Sequence, residues 1–294
     1  MFKEESGRKN VKGIILAAGK GTRMYPMTMP VCKPLIPVYD KPLIYYPLAV
    51  LLQAGIRDVL IIVPPDEMYS FIKLFGDGSD LGINITYKIQ KVQRGIADAF
   101  IIGKSFIGDD DVCLILGDNI FYGDGLAECL QKARENKGTT IFGYYVEDPH
   151  PFGVVEFDEN GKAVSIEEKP AEPRSNYIVP GLYFYDNSVV EIAENVQPSE
   201  RGELEITSVN NEYLRRGDLN VVTLGRDFTW LDAGSAESLL RSANTIMDIQ
   251  KRTGRQVACL EEIAYKMGYI DREQLRAVGE SMKKTTYGQY ILGL

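Results

Sequence analysis

Histidine is almost missing from this chain of 294 residues. The single one, His150, stands between Pro149 and Pro151. A Ser-His-Asp or Cys-His mechanism would have to run through that proline-flanked position, and a loop residue is the simpler reading. Cysteine is scarce and scattered, at Cys32, Cys113, Cys129 and Cys259, with no CxxC pair and no Cys/His cluster. That excludes a metal-thiolate site and a disulfide framework. Cys113 lies in an apolar run and reads as a small buried hydrophobe. No stretch approaches the roughly 18 consecutive apolar residues of a membrane span, so no transmembrane helix is expected. The start, MFKEESGRKN, is polar and lacks the apolar centre of a signal peptide. It reads as a flexible extension over residues 1–11, and the expected location is the cytoplasm. Positive charge is also short: 33 Lys and Arg face 41 Asp and Glu, for a net charge of -8. Non-specific nucleic-acid binding rests on many cations, so no nucleic-acid partner is expected. A small phosphate ligand needs only a few local ones.

What is present is alternation. The apolar runs Gly13–Ala18, Asp58–Val63, Val112–Leu116 and Thr139–Val146 read as strands. Helical patterns at Ile44–Leu52, Glu67–Phe75, Ile96–Ile102 and Leu126–Glu135 separate them, with a further strand at Ile83–Ile89. Pro42 fits the first turn of the first helix, and Pro47 belongs in that turn or marks a kink. This order implies a three-layer, doubly wound, mostly parallel α/β sheet of Rossmann-like type. The second half differs. Gly153–Phe157 and Ala163–Ile166 flank Asn160-Gly161 and read as a β-hairpin. A strand is expected at Tyr177–Phe184, helices at Val189–Asn195 and Glu205–Arg216, and a strand at Asn220–Leu224. From Ala236 onward the pattern is helical. The expected division is an α/β domain over 12–250, nucleotide-binding in 12–120 and sugar-binding in 121–235, followed by a C-terminal helical appendage over 251–294.

The first strand runs into Gly19-Lys20-Gly21-Thr22-Arg23. In an open α/β sheet, ligands sit beyond the carboxyl ends of the strands. A glycine-bearing loop there can turn backbone N–H groups toward phosphate. It is not a Walker A loop, and Met24 stands where a dinucleotide fingerprint would have its third glycine. Arg23 and Lys33 add a fork and a point charge for phosphate. A plain strand-to-loop turn is the alternative. Asp118 follows the strand Val112–Leu116, and Asp232 follows Trp230-Leu231. Either the two hold Mg2+, which takes one or two carboxylates plus waters and phosphates, or Asp118 caps a turn and Asp232 caps the next helix. Glu167-Glu168-Lys169-Pro170 either holds a sugar phosphate or is a solvated charge run.

Taken together, the loop, Lys33-Pro34, Asp40–Pro47, Gly117–Gly123, Gly153–Phe157, Glu167–Pro170, Gly181–Asp186, Arg201–Thr207 and Trp230–Gly234 resemble the glucose-1-phosphate thymidylyltransferase family of sugar nucleotidyltransferases, in family order from Lys12 onward. The resemblance implies the nucleotide-diphospho-sugar transferase fold. It implies transfer of a thymidylyl group from dTTP to glucose 1-phosphate, giving dTDP-glucose and pyrophosphate with Mg2+ as cofactor. Ala17, Gly19, Gly21, Thr22, Arg23, Lys33, Gln90, Gly95 and Asp118 would bind the nucleotide, with Gln90 and Gly95 at the base. Arg23, Lys33, Asp118 and Asp232 would be catalytic, and Asp118 and Asp232 would hold the metal. Asn119, Gly153, Glu168, Lys169 and Val179 would hold the sugar phosphate. The C-terminal helices match the long form of the family, a homotetramer with dTDP-rhamnose as inhibitor at an interfacial site. Ala18-Gly19-Lys20, Cys32-Lys33-Pro34 and Gln93-Arg94-Gly95 depart from the family pattern around the base and triphosphate. UTP or CTP in place of dTTP is therefore the alternative.

Overall fold

A computed structural model describes residues 10–225 and 227–294. The expected N-terminal extension lies, but for its last two residues, outside the described residues. Strand β1 (Val11–Leu16) starts before the expected Gly13 and stops short of Ala18; the Asp111 N–H donates to the Asn10 carbonyl (3.0 Å) and opens the ladder early. Short strands β2 (Pro37–Val38) and β3 (Lys41–Pro42) form a hairpin. Pro42 therefore lies in a strand and not in the first turn of a helix; the Leu43 N–H bonds back to Ile36 O (2.9 Å) and keeps this stretch extended. Helix α1 (Tyr45–Gln53) begins three residues later. Pro47 falls in its first turn, where the missing N–H has no intrahelical acceptor to lose. Then come β4 (Asp58–Val63), α2 (Met68–Phe75), β5 (Asn84–Ile89), α3 (Asp98–Ile107) and β6 (Asp111–Leu116). Strands β5, β4, β1 and β6 lie side by side, all parallel, as crossover helices require.

The second half contributes β7 (Asn119–Tyr122), α4 (Leu126–Glu135), β8 (Thr139–Tyr145), β9 (Gly153–Phe157), β10 (Ala163–Glu168), β11 (Tyr177–Ile178) and β12 (Leu182–Tyr185). After these come α5 (Val189–Asn195), α6 (Ile206–Arg216), β13 (Leu219–Leu224), β14 (Thr229–Asp232), α7 (Ala236–Thr253), α8 (Leu260–Lys266), α9 (Arg272–Ser281) and α10 (Thr286–Leu292). The main sheet runs β10-β9-β11-β8-β12-β6-β1-β4-β5, with β13 parallel to β8. The stretch expected as one strand, Tyr177–Phe184, is two. Pro180 has no N–H for a ladder, and the Gly181 N–H turns instead to Asn119 Oδ1 (3.0 Å). Strand β12 inserts antiparallel between β6 and β8.

Successive residues of the central strands serve opposite faces. Ile14 and Leu114 join Phe100, Tyr185 and Val209 in the core under α3, α5 and α6. Ile15 and Ile115 join Leu48, Leu51, Phe71 and Leu130 under α1, α2 and α4. These form the three layers. Each such side chain contributes roughly 1.5–3 kcal/mol when fully buried. Leu260, Ala264, Leu275 and Ile291 of the C-terminal helices share that second core. The expected boundary at 250/251 falls inside α7, which Ser235 caps at one end and Gly254 (φ 67°) ends at the other. The division at 120/121 likewise falls inside β7. Among the described residues no helix is long and apolar enough to cross a membrane.

Candidate active site

The two aspartates are brought together by main-chain pairing. Strand β14 lies antiparallel to β7, with Asp232 opposite Asn119, next to Asp118. This two-stranded ribbon stands off the main sheet, so Asp232 does not end one of its strands. Nor does it cap a helix, since the Ser235 side chain accepts the N–H of Ser238 at the start of α7. Both acids open onto one cavity of about 520 Å³.

Charge there is tightly arranged. Lys33 is buried, and its Nζ lies 2.5 Å from Asp118 Oδ2. Asn119 Nδ2 donates to Asp118 Oδ1 (2.9 Å). Burial alone would raise the Asp118 carboxyl, but the Lys33 charge and these hydrogen bonds hold it below the usual range. Burial pushes Asp232 up to about 6, the Asp118 charge adds to the rise, and Lys33 and Arg23 oppose it. A Cβ on Gly234 would lie 2.6 Å from Asp232 Oδ2 and 3.5 Å from Arg23 Nη2, so the guanidinium and this carboxylate flank the same glycine. Among the described residues there is no group of three or more His, Cys, Asp or Glu placed for a metal. Mg2+ does not need one, because it is held by one or two carboxylates together with substrate phosphates. Two carboxylates crowded enough for one to raise the other fit a dication. The thiols do not compete: burial pushes Cys32 and Cys259 up to about 12. His150 is the exposed loop residue expected, its Nδ1 2.6 Å from Asp148 Oδ1.

The glycine loop follows β1 directly. Ala17 is buried and its N–H donates to Ile62 O (2.8 Å). Gly19 has open space where a Cβ would stand. Gly21 is left-handed (φ 62°), and its carbonyl accepts from the Thr28 hydroxyl (2.7 Å) and from Met24 N–H (2.9 Å). Thr22 and Arg23 form the short turn that follows. Across from the loop, Gln90 sits just past β5 and Gly95 a few residues on. Gln93 Nε2 donates to Ala18 O (2.6 Å), which ties the two segments together.

Gly95 has a structural reason of its own. Its φ is 106°, and a Cβ would come within 2.5 Å of Leu204 O. That closeness lets Leu204 N–H donate to Arg94 O (2.6 Å) and Ala97 N–H donate to Leu204 O (3.1 Å), clamping the segment before α3 to the segment before α6. Gly95→Ala is expected to lower unfolding free energy by at least about 2 kcal/mol in a urea titration. A loss under about 0.5 kcal/mol would mean the clamp yields without cost.

Gly153, Glu168, Lys169 and Val179, the residues expected at the sugar phosphate, line the same cavity. Glu168 is held by the fold and is not a solvated charge, whereas Lys169 is exposed, its Nζ 3.8 Å from Glu168 Oε1. Glu168 Oε2 accepts the Thr207 hydroxyl (2.5 Å), and Arg201 Nη2 lies 3.5 Å from Oε1. Lys169 is a left-handed non-glycine residue (φ 46°), a conformation costing of order 1–3 kcal/mol that clusters at functional sites. The Val179 N–H donates to Gly153 O (2.8 Å). The Asn119 amide is committed to the protein: Oδ1 accepts from Gly181 N–H and from the Trp230 indole (2.7 Å), while Nδ2 is on Asp118. Its part at the cavity wall is therefore to hold other groups in place. Sequence reasoning assigned no role to Thr207, Arg201 or Trp230. Their motifs, Arg201–Thr207 and Trp230–Gly234, were the available signal.

Comparison with known proteins adds to this geometry. The nucleotidyl transferase family model matches residues 12–249. The chain is 54% identical over 285 residues to a glucose-1-phosphate thymidylyltransferase of Neisseria meningitidis, covering 97% of this chain and 99% of that one. It is 51% identical over 284 residues to one of Mycobacterium tuberculosis, covering 97% and 99%. Among solved structures, a Bacillus anthracis protein assigned as a glucose-1-phosphate thymidylyltransferase, in complex with sucrose, is 40% identical with a TM-score of 0.74, covering 80% of this chain and 94% of that one. A UDP-glucose pyrophosphorylase bound to UDP-glucose, 23% identical with a TM-score of 0.72 and covering 82% and 99%, shares the fold.

Proposed function

This chain belongs to the nucleotidyl transferase family and, within it, to the glucose-1-phosphate thymidylyltransferases, and from that premise we infer how its cleft works. The enzyme transfers the thymidylyl group of dTTP to glucose 1-phosphate, giving dTDP-glucose and pyrophosphate. The observation that carries the mechanism is one cavity lined by Arg23, Asp118 and Asp232 together with Glu168 and Lys169. The glycine loop holds the triphosphate, with Gln90 and Gly95 at the base. Lys169 takes the phosphate of glucose 1-phosphate and Glu168, steadied by Thr207, takes sugar hydroxyls. A phosphate oxygen of the sugar phosphate then attacks the α-phosphorus in line, and pyrophosphate leaves. No protein nucleophile or proton transfer is needed, so catalysis is positioning together with neutralisation of charge developing on the phosphates. Arg23 supplies a fork to those oxygens, and Lys33 holds Asp118 in place. Asp118 and Asp232 would hold Mg2+, which when bound neutralises phosphate charge as a Lewis acid.

The test is pyrophosphate release with glucose 1-phosphate and each of dTTP, UTP, CTP and ATP. The expected best substrate is dTTP, with activity abolished by EDTA and restored by Mg2+. Release from none of the four would overturn the reading. A higher rate with UTP or CTP would move the same chemistry to that nucleotide.

We also place the effector here. A second cavity of about 330 Å³ lies at the far end of β7, where Tyr122 and Gly123 meet Arg255, Glu262 and Lys266. Arg255 and the apolar walls suit a nucleoside diphosphate sugar such as dTDP-rhamnose, in a homotetramer, while Lys266 is paired with Glu262 (2.5 Å). Both substrates are metabolites of the cytoplasm, which is where we place the enzyme.

A further inference from the structure

We propose that Asp98 is a positioning residue for base choice: it fixes the Gln90 side-chain amide so that its carbonyl oxygen, and not its NH2, faces the nucleobase. The inference rests on the reading that Gln90 meets the base.

Asp98 is the first residue of α3 and is 1% exposed. Its two oxygens have separate partners. Oδ1 accepts from Arg94 Nη2 (2.6 Å) and Oδ2 accepts from Gln90 Nε2 (2.9 Å). A carboxylate paired with a guanidinium accepts hydrogen bonds and donates none. Turning the Gln90 amide over would set its oxygen against a carboxylate oxygen with no proton between them, which is repulsive in a buried setting. The chemistry of the partner therefore decides the amide's orientation.

Gln90 is itself nearly immobile. It is 5% exposed, and its main-chain N–H donates to Val63 O (3.0 Å) at the carboxyl end of β4. The bond to Asp98 uses one of the two Nε2 hydrogens and fixes which end of the amide is the oxygen, so Oε1 is left as the acceptor. Among the described residues no protein donor reaches it, and it is not among the side-chain atoms sealed from solvent without a partner. The Gln93 bond to Ala18 O holds this segment against the start of the glycine loop, where the nucleotide must lie.

A fixed acceptor on the base wall selects by hydrogen-bond polarity. Thymine and uracil carry an N–H at position 3 and can donate to it. Cytosine carries a lone pair there, which would face the Gln90 oxygen across the contact. Sites built to pair a specific polar group reject analogues that leave it unpaired far more strongly than apolar pockets reject extra volume. The same device does not see the 5-methyl group, so it separates dTTP from dCTP and is silent between dTTP and dUTP.

The test compares kcat/KM for dTTP and dCTP, which share a sugar and triphosphate, in the full-length enzyme and in Asp98→Asn, Asp98→Ala and Gln90→Ala. An asparagine can give its own NH2 to Gln90 and an alanine gives nothing, so either change frees the amide to turn. The expected result is a drop of about 10- to 100-fold in the dTTP:dCTP ratio in whichever Asp98 variants fold, as judged by circular dichroism. A merely structural role would lower both substrates together and leave the ratio alone. A ratio within twofold of the parent in a folded Asp98 variant, while Gln90→Ala loses selectivity, would overturn the role of Asp98 and leave Gln90 at the base. An unchanged ratio in Gln90→Ala as well would overturn the base-contact reading and this inference with it.

Discussion

Asp232→Asn is expected to abolish most of the activity and, in metal-free buffer at pH 8, to make the protein more stable. The carboxyl is raised from 3.8 to about 6 by burial and by the Asp118 charge. A rise of that size corresponds to about 3 kcal/mol between the protonated and ionised forms. The sign follows from proton binding. Between pH 4 and 6 the folded protein holds a proton that the unfolded chain releases, so stability falls as pH rises through about 6. At pH 8 the parent carries a buried charge that Lys33 and Arg23 only partly offset, and the neutral asparagine does not. The variant should gain up to about 3 kcal/mol there, and the gain should vanish near pH 4. Activity should move the other way, by about 10³-fold or more, because several kcal/mol of charge neutralisation depend on the metal this acid would hold. Urea titrations at pH 4 and 8 in EDTA, with turnover at saturating Mg2+, check both arms. Mg2+ should also raise the melting temperature of the parent and not of the variant. A variant less stable than its parent at pH 8 without metal would remove the electrostatic account of Asp232.

Lys33→Met is expected to damage both stability and turnover. The lysine is buried and its Nζ is 2.5 Å from Asp118 Oδ2. Removing one partner of a buried pair leaves the other charge uncompensated, at a cost of about 3–5 kcal/mol. Asp118 is held below its usual range in the fold, so its ionised form adds stability above the unfolded value of 3.8 that is lost as pH falls through the folded one. The gap between parent and Lys33→Met should therefore be full at pH 8 and narrow in acid. A double-mutant cycle isolates the pair. Lys33→Met with Asp118→Asn should recover most of the lost stability and none of the activity. If the double variant is as unstable as the sum of the two singles, the pair is not coupled.

Several elements were legible because local sequence alone defines them. Asp58–Val63 is an uninterrupted apolar run closed by two prolines, and it is β4 residue for residue. Leu126–Glu135 and Val189–Asn195 have clear helical periodicity and end as expected. What failed needed distant partners. Tyr177–Phe184 has strand composition throughout, but the Gly181 N–H is claimed by Asn119, 62 positions away. Glu168 reads as one charge in a run of charges until Thr207 is seen to donate to it across 39 positions. Asp118 and Asp232 read from their positions either as a metal pair or as caps of a turn and a helix, and the family likeness favours the pair. Their meeting depends on a strand pairing over more than a hundred positions, about which hydrophobic periodicity is silent.

That pairing also divides the chain in a way its length does not suggest. Residues 123–228 leave the ribbon after β7 and return to it at β14, so topologically the stretch proposed to recognise the sugar is an excursion between two strands that are already joined. The entropic cost of closing such an excursion rises only slowly with its length. Insertions, deletions and remodelled pockets in its connecting loops can accumulate without moving Asp118 relative to Asp232. The ribbon thus separates heritable change in what the enzyme recognises from change in the reaction it performs, and one phosphoryl-transfer centre can be kept while its acceptor sugar is exchanged.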